Sequence, residues 1–210
     1  LTTRIYNTFP NYSGGARPPW GEKLAPWEET WFGRRLPKPP GRILLGACGA
    51  GREALALLDM GFQVDAFDLA AELASIARQT LGDRARVLTL GYEDLSAAVL
   101  EGKKGPATSL AQERYEAVLL GWGSLTHVME PNERLRLLRS LTLICPSGPI
   151  LASFWCTNGY SPQNFFPGTQ AFGRAIGSKV ARLRGIPSEV SRQKFLFHAG
   201  FGYVFTPEEI

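Results

Sequence analysis

The residues best suited to hold a ligand lie between Arg42 and Asp68. A loop of small residues, Gly46-Ala47-Cys48-Gly49-Ala50-Gly51, follows the apolar run Ile43-Leu44-Leu45 and precedes a helical pattern from Arg52 to Met60. Glycines in such a loop let ligand atoms reach the backbone, and the helix start offers unpaired N–H groups to an anion. Asp68 stands 19 residues after Gly49 and 17 after Gly51, at the end of the next apolar run. A carboxylate there accepts hydrogen bonds from both hydroxyls of a ribose, so loop and acid together predict a site for an adenosine-containing ligand. Gly49-Ala50-Gly51-Arg52-Glu53-Ala54 also fits G-x-G-x-x-A, which keeps a dinucleotide among the candidates. Against it, Gly46-Ala47-Cys48 lengthens the loop ahead of that motif's first glycine, where a dinucleotide-binding strand normally ends.

A second group of reactive types follows the apolar run Tyr115–Leu120, in Gly121-Trp122-Gly123-Ser124-Leu125-Thr126-His127. His127 is the residue of this loop whose ordinary pKa suits base catalysis, with a packing or helix-capping histidine as the competing reading. Trp122 either packs on a ligand or fills core. Tyr160, Phe165 and Phe166, farther along, are candidate lid aromatics, and His198 in Phe195–Phe201 reads as structural within an added strand or hairpin. The three cysteines, Cys48, Cys145 and Cys156, form no C-x-x-C and have no metal-type spacing to the two histidines. No metal site is expected, and the cysteine usage suits a reducing cytosol.

The elements that must position these residues alternate. Strand-like runs are Arg42–Leu45, Phe62–Phe67, Arg86–Leu90, Tyr115–Leu120 and Ile150–Trp155. Helical patterns fall between them: Arg52–Met60, then one with Leu69, Leu73, Ile76, Ala77 and Leu81 on its apolar face, then Asp94–Leu100. A fourth opens at Pro131, with Leu135, Leu138 and Leu141 inward and Arg134, Arg136 and Arg139 outward. Glu101–Gln112 reads as a loop. Strands alternating with helices imply right-handed crossovers and a parallel sheet covered on both faces.

Residues 1–40 differ in character. They hold seven of the 15 prolines and Trp20, Trp27 and Trp31, and read as an arm wrapped on the domain with its tryptophans buried. One helix is expected in it, from Pro26 to Leu36, with Glu28 and Glu29 at its positive end. The net charge of +4 concentrates on the flanks: Arg4, Arg17, Lys23, Arg34, Arg35 and Lys38 in the arm, and six basic residues against Glu189 in 170–200. Gly168–Gly185 reads as a basic helix packed on the domain. Basic flanks suit an anionic partner, but no aromatic-interleaved basic repeat accompanies them. No apolar run reaches the roughly 18 residues of a spanning helix, and no signal core opens the chain, so a soluble cytoplasmic protein without membrane contact is expected. Leu1 in place of Met suggests a trimmed or incompletely seen chain, and the end at Thr206–Ile210 reads like a helix start, so either final strands are absent or residues after 210 are lost.

The stretch from Ile43 to Asp68 resembles the Rossmann-like, class I S-adenosylmethionine-dependent methyltransferases. Their loop, acid-x-Gly-x-Gly-x-Gly, falls on Leu45, Ala47, Gly49 and Gly51, so the acid and the first glycine are replaced. Their second-strand acid falls on Asp68, and the third-strand end that contacts adenine falls on Gly91-Tyr92-Glu93-Asp94-Leu95. Tyr115–Leu120 and Pro146-Ser147-Gly148 match their fourth strand and the turn before the fifth. The resemblance covers residues 41–155 and implies a three-layer α/β fold, with an arm (1–40) and a C-terminal basic and aromatic segment (156–210) completing or covering the core. It implies S-adenosyl-L-methionine as cofactor, held by Ala47, Gly49, Gly51, Asp68, Leu69, Tyr92, Glu93, Asp94, Gly121 and Trp122. The acceptor would lie against Trp27, Trp122, His127 and Tyr160. Arg52 or an arm residue is the expected substitute for the missing acid.

The reaction implied is in-line displacement at the sulfonium methyl. The place after the fourth strand lacks both the acid-or-Asn-Pro-Pro-aromatic and the Pro-Cys signatures of DNA methyltransferases, so a small-molecule acceptor is preferred and RNA is the alternative. A catalytically degenerate adenosyl-binding module and an NAD(P)-dependent oxidoreductase are the competing classes. Oligomeric state has no signature in the sequence.

Overall fold

The computed structural model describes residues 24–154, 156, 193–196 and 200–206. Expectations for Trp20, Trp155, Tyr160, Phe165, Phe166, His198, the basic helix of 168–185 and the last four residues lie outside the described residues.

In chain order the elements are α1 (Pro26–Arg35), β1 (Arg42–Gly46), α2 (Arg52–Asp59), β2 (Gln63–Asp68), α3 (Ala71–Leu81), β3 (Ala85–Thr89), α4 (Tyr92–Glu101), a short α5 (Thr108–Ala111) and β4 (Ala117–Leu120). A 3-10 turn (Ser124–His127), α6 (Pro131–Ile144), β5 (Ile150–Ala152), β6 (Gln193–Leu196) and β7 (Gly200–Tyr203) follow. The first five strands form one sheet in the order β3-β2-β1-β4-β5, with every neighbouring pair parallel. Ile43 sits opposite both Val64 and Ala117, which fixes the register at the centre. β6 and β7 pair antiparallel, apart from that sheet, where Phe195–Phe201 reads as an added strand or hairpin, and Cys156 forms an isolated bridge with Phe205.

Side chains that alternate along the strands divide the core into two layers. Ile43, Leu45, Val64, Ala66, Ala117, Leu119 and Leu151 face Leu24, just before α1, and Phe32, Ala54, Leu57, Ala74, Ala77 and Leu81 of α1, α2 and α3. Leu44, Phe67, Val118 and Leu120 face Leu95, Leu110, Leu137, Leu141 and Ile144 of α4, α5 and α6. A sheet covered on both faces buries both side-chain sets, so β2 is buried from Val64 to Asp68 and does not alternate inside and outside. Each fully buried leucine contributes about 1.5–3 kcal/mol. The fold is the three-layer, Rossmann-like α/β arrangement expected, and among the described residues no helix is long and apolar enough to cross a membrane.

Several local expectations are corrected. On α6, Leu137, Ser140, Leu141 and Ile144 are buried, whereas Leu135 and Leu138 face solvent. The phase turns because small Ser140 lets the helix approach Ser96 of α4, the two hydroxyl oxygens lying 3.3 Å apart. Arg134 does not point outward: it donates to the carbonyls of Val128 and Met129, and its guanidinium lies 4.3 Å from the Tyr203 ring centre. Leu69 precedes α3, off its buried face, and is 57% exposed. The expected loop 101–112 contains α5, with Leu110 fully buried.

Candidate functional site

Strand order reverses between β1 and β4, since β1 leads outward to β2 and β3 on one side and to β4 and β5 on the other. Two loops diverging from adjacent parallel strands leave a crevice beyond their C-terminal ends, the usual ligand place in such sheets. Here the loops are 46–51 and 121–124.

The first loop is held from below. Cys48 N–H donates to the Phe67 carbonyl at 3.0 Å, and Gly51 N–H to the Cys48 carbonyl at 3.0 Å. Gly49 and Gly51 have φ of 56° and 95°. Ala47, at the position where the sequence pattern replaces a glycine, also has φ 54°, a left-handed backbone that costs an L-residue roughly 1–2 kcal/mol. The loop thus keeps the shape of the glycine version. A Cβ built on Gly49 would meet nothing within 4 Å, so the space over the loop is open. Burial pushes the Cys48 thiol well above its ordinary range, with Asp68 and Glu53 adding to the shift, so it is an inert packing group.

Asp68 ends β2 beside this loop. Its Oδ2 accepts the Gly49 N–H at 2.9 Å and its Oδ1 the Ala70 N–H at 2.8 Å. Burial raises its pKa, while these two N–H groups oppose the rise. Each oxygen retains a lone pair, as required of an acceptor for two ribose hydroxyls. Leu69 presents an apolar surface next to it, and Gly91 lies under Leu69, its would-be Cβ 3.4 Å from Leu69 Cδ1. Tyr92 packs edge-on against Phe67 at 5.6 Å and lies over Gly46, and its Oη is 2.6 Å from Ser124 Oγ. Asp94 caps α4 through the Gly91 N–H at 2.9 Å, and Glu93 is exposed.

The second loop touches the first. Gly121 N–H donates to the Gly46 carbonyl at 2.7 Å, and a Cβ on Gly121 would lie 2.3 Å from the Ala47 carbonyl oxygen. Only glycine permits that approach. Gly123 N–H donates to Ser153 Oγ at 2.6 Å. Trp122 is 52% exposed, and His127 ends the 3-10 turn, half-buried.

α1 covers the crevice on one side. Trp27, Glu28, Trp31 and Phe32 line a cleft with Leu45, Glu53, Leu119, Gly121, Trp122 and Ser153. Trp27 is 46% exposed, so the arm does not bury all its tryptophans as expected. Glu28 closes the capping box of α1, accepting the Ala25 N–H at 2.6 Å. It also takes both prongs of the Arg52 guanidinium, at 2.6 and 2.7 Å. Arg52 reaches Glu53 at 3.1 Å.

The structure therefore brings together Ala47, Gly49, Gly51, Asp68, Leu69, Tyr92, Gly121 and Trp122 along one edge, and Trp27 lines the same cleft as Trp122. Glu93 and Asp94 stand at the α4 start, with Asp94 occupied as a cap. Sequence reasoning missed Glu28, Glu53 and Ser153, whereas Ser124 belongs to the loop of 121–127 that it singled out. An acid in the first turn of the helix that follows the glycine loop is a readable sign for Glu53. Nothing in the spacing announces that Glu28 meets Arg52, 24 residues away. Among the described residues no cluster of His, Cys, Asp and Glu is arranged to hold a metal.

No protein-family model matches the chain. A protein of Bacillus subtilis (strain 168) named "Putative methyltransferase YqeM" is 27% identical over 130 residues, covering 60% of this chain and 48% of that protein. The chain thus spans about half the length of the curated relative it matches. Among solved structures, the PH0226 protein from Pyrococcus horikoshii OT3 is similar with a TM-score of 0.55 and 21% identity, over 72% of this chain and 66% of that one. The glycopeptide N-methyltransferase MtfA in complex with S-adenosyl-L-methionine is similar with a TM-score of 0.50 and 24% identity, over 70% and 54%. The chain shares the three-layer, Rossmann-like α/β fold of these structures, one of them a glycopeptide N-methyltransferase.

Proposed function

We propose that this chain binds S-adenosyl-L-methionine in the crevice between β1 and β4 and transfers its methyl group to a small-molecule acceptor, leaving S-adenosylhomocysteine. The observation that carries the reading is the Asp68 carboxylate, fixed by two backbone N–H groups beside an open glycine loop at the switch point. That arrangement fits a ribose, with Leu69 and the 91–94 segment for adenine and Ala47, Gly49 and Gly51 for the remainder. The left-handed backbone at Ala47 supports a working loop over a degenerate one. The relative and the fold neighbour named above, a protein named as a methyltransferase and a glycopeptide N-methyltransferase, agree with this reading.

Bound there, the cofactor supplies a methyl group already activated by its sulfonium. The protein's own tasks are alignment and exclusion of water. Gly121 and Trp122 form the wall shared with the acceptor, and Trp27 of α1 closes the facing side. His127 is the candidate base for an acceptor that must lose a proton. The arm of 1–40 and the segment 156–200 would enclose the acceptor over the core of 41–155, with Tyr160 as an added contact.

Calorimetric titration of the purified chain with S-adenosylhomocysteine, and with NADH in parallel, tests the assignment. Binding of the first and not the second is expected. NADH binding alone would transfer the crevice to a dehydrogenase.

A further inference from the structure

Two buried carboxylates, Glu28 and Glu53, line the cleft, and the Arg52 guanidinium contacts both. Glu28 is 2% exposed and Glu53 7% exposed. Arg52 gives both prongs to Glu28 and reaches Glu53 from one edge only. Among the described residues, Arg52 is the cation seen against both acids, so the group carries one negative charge in excess when all three are ionised. A buried charge without full compensation is unfavourable, and a cationic ligand group relieves it. Desolvation pushes the Glu53 carboxyl upward, with Arg52 and the Trp122 backbone N–H opposing the rise.

Leu45 lines the same cleft and is fully buried. It stands where the methyltransferase pattern has an acid, so the β1 end offers only hydrocarbon to the amino-acid end of the cofactor. That end carries an ammonium group and a carboxylate. Arg52, expected as the substitute, is already engaged by Glu28. It also has the wrong sign for an ammonium.

Resting on the functional reading above, we infer that the carboxylate of Glu53, reached from the helix side of the loop, receives the ammonium group of the cofactor's amino-acid end in place of the acid absent at Leu45. Glu28 is a positioning residue. By holding the Arg52 fork it leaves Glu53 under-compensated and facing the cleft, and it ties α1 to the start of α2.

The test compares ligands that differ only at that end. S-Adenosylhomocysteine carries the ammonium, its des-amino analogue lacks it, and 5′-methylthioadenosine lacks the whole amino-acid part. Affinities are measured by calorimetry on the wild-type chain, Glu53→Gln and Glu53→Asp. A charged hydrogen bond of this kind corresponds to a change of about 10–100-fold. The wild-type chain is expected to bind S-adenosylhomocysteine tighter than the des-amino analogue by that factor. Glu53→Gln is expected to lose the preference while binding 5′-methylthioadenosine within about twofold of wild type, and Glu53→Asp to keep part of it. Methylthioadenosine binding reports that each variant is folded, and the wild-type comparison stands without any variant. Equal affinity of the wild type for the two homocysteine ligands, or an undiminished preference in Glu53→Gln, overturns the inference and leaves the functional reading intact. Failure of the wild type to bind any of the three ligands overturns both.

Discussion

Replacing Asp68 by Ala separates the two tasks of this carboxylate. It removes acceptors from the Gly49 and Ala70 N–H groups, at 2.9 and 2.8 Å. Hydrogen bonds to a charged group are worth about 1.5–3 kcal/mol each, and the two N–H groups are left unpaired at a buried site. The loss is offset because a carboxylate that burial disfavours is also removed. A net destabilisation of about 2 kcal/mol results, or about 4–8 °C in Tm for a chain of this size. The ribose loses its acceptors as well, a further loss of about 1.5–3 kcal/mol in binding, or about 10–150-fold in Kd. Thermal unfolding reads the first quantity and calorimetry the second. Because S-adenosylhomocysteine and 5′-methylthioadenosine share the ribose, Asp68→Ala weakens both by one factor, unlike Glu53→Gln. A folded Asp68→Ala chain that binds S-adenosylhomocysteine as wild type does would refute the ribose placement. An unchanged Tm would refute the claim that the carboxylate holds the loop.

Gly121→Ala puts a methyl group 2.3 Å from the Ala47 carbonyl oxygen and 2.9 Å from that of Gly46, both backbone atoms. Urea unfolding should show a loss of about 2–3 kcal/mol. Ala47→Gly relieves a left-handed alanine, and after the added chain entropy of glycine it should gain about 0.5–1 kcal/mol, read in the same assay; a loss would contradict the strain at φ 54°. Glu53 has a raised pKa, so the native state holds its proton more tightly than the unfolded chain, whose glutamates titrate near about 4.3. The associated stability is fully present below that value and is lost as pH rises through the raised folded pKa. Urea midpoints across pH should therefore fall less steeply over that window in Glu53→Gln than in wild type. His127→Ala should lower kcat on an acceptor that must lose a proton by about 10²–10⁴-fold, and unchanged turnover would reduce His127 to packing.

The parts legible in the sequence were those fixed by neighbours along the chain. The glycine loop, Asp68 at the end of the following strand and the Pro26 start of α1 each rest on local chemistry, and each stands where its spacing predicts. The three-residue spacing of Leu135, Leu138 and Leu141 does not mark the buried face of α6, where only Leu141 of the three is buried. Its real seam runs through Leu137, Ser140, Leu141 and Ile144, with Arg134 stacked on Tyr203, a residue nearly 70 positions later. A small polar residue at a close helix crossing and an arginine on an aromatic ring are both set by tertiary partners. The Glu28–Arg52–Glu53 group was hidden for the same reason, since two elements must first be folded together. At Ala47 the residue type pointed to a lost loop, while the backbone kept the left-handed turn because Cys48 and Gly121 fix it from both sides.

The bond from Gly121 N–H to the Gly46 carbonyl, with the Tyr92–Ser124 contact beside it, makes the two crevice loops one mechanical unit. A library aimed at a new acceptor that varied residues 121–124 would therefore disturb the nucleoside side at the same time. The exposed face of α1 offers a separable dial. Trp27 stands on a helix joined to the core through the buried Glu28 and Phe32, while Trp27 itself is half-exposed. On the proposed function, diversification for acceptor preference belongs on the exposed face of that helix, which carries none of the hydrogen bonds that join the two loops.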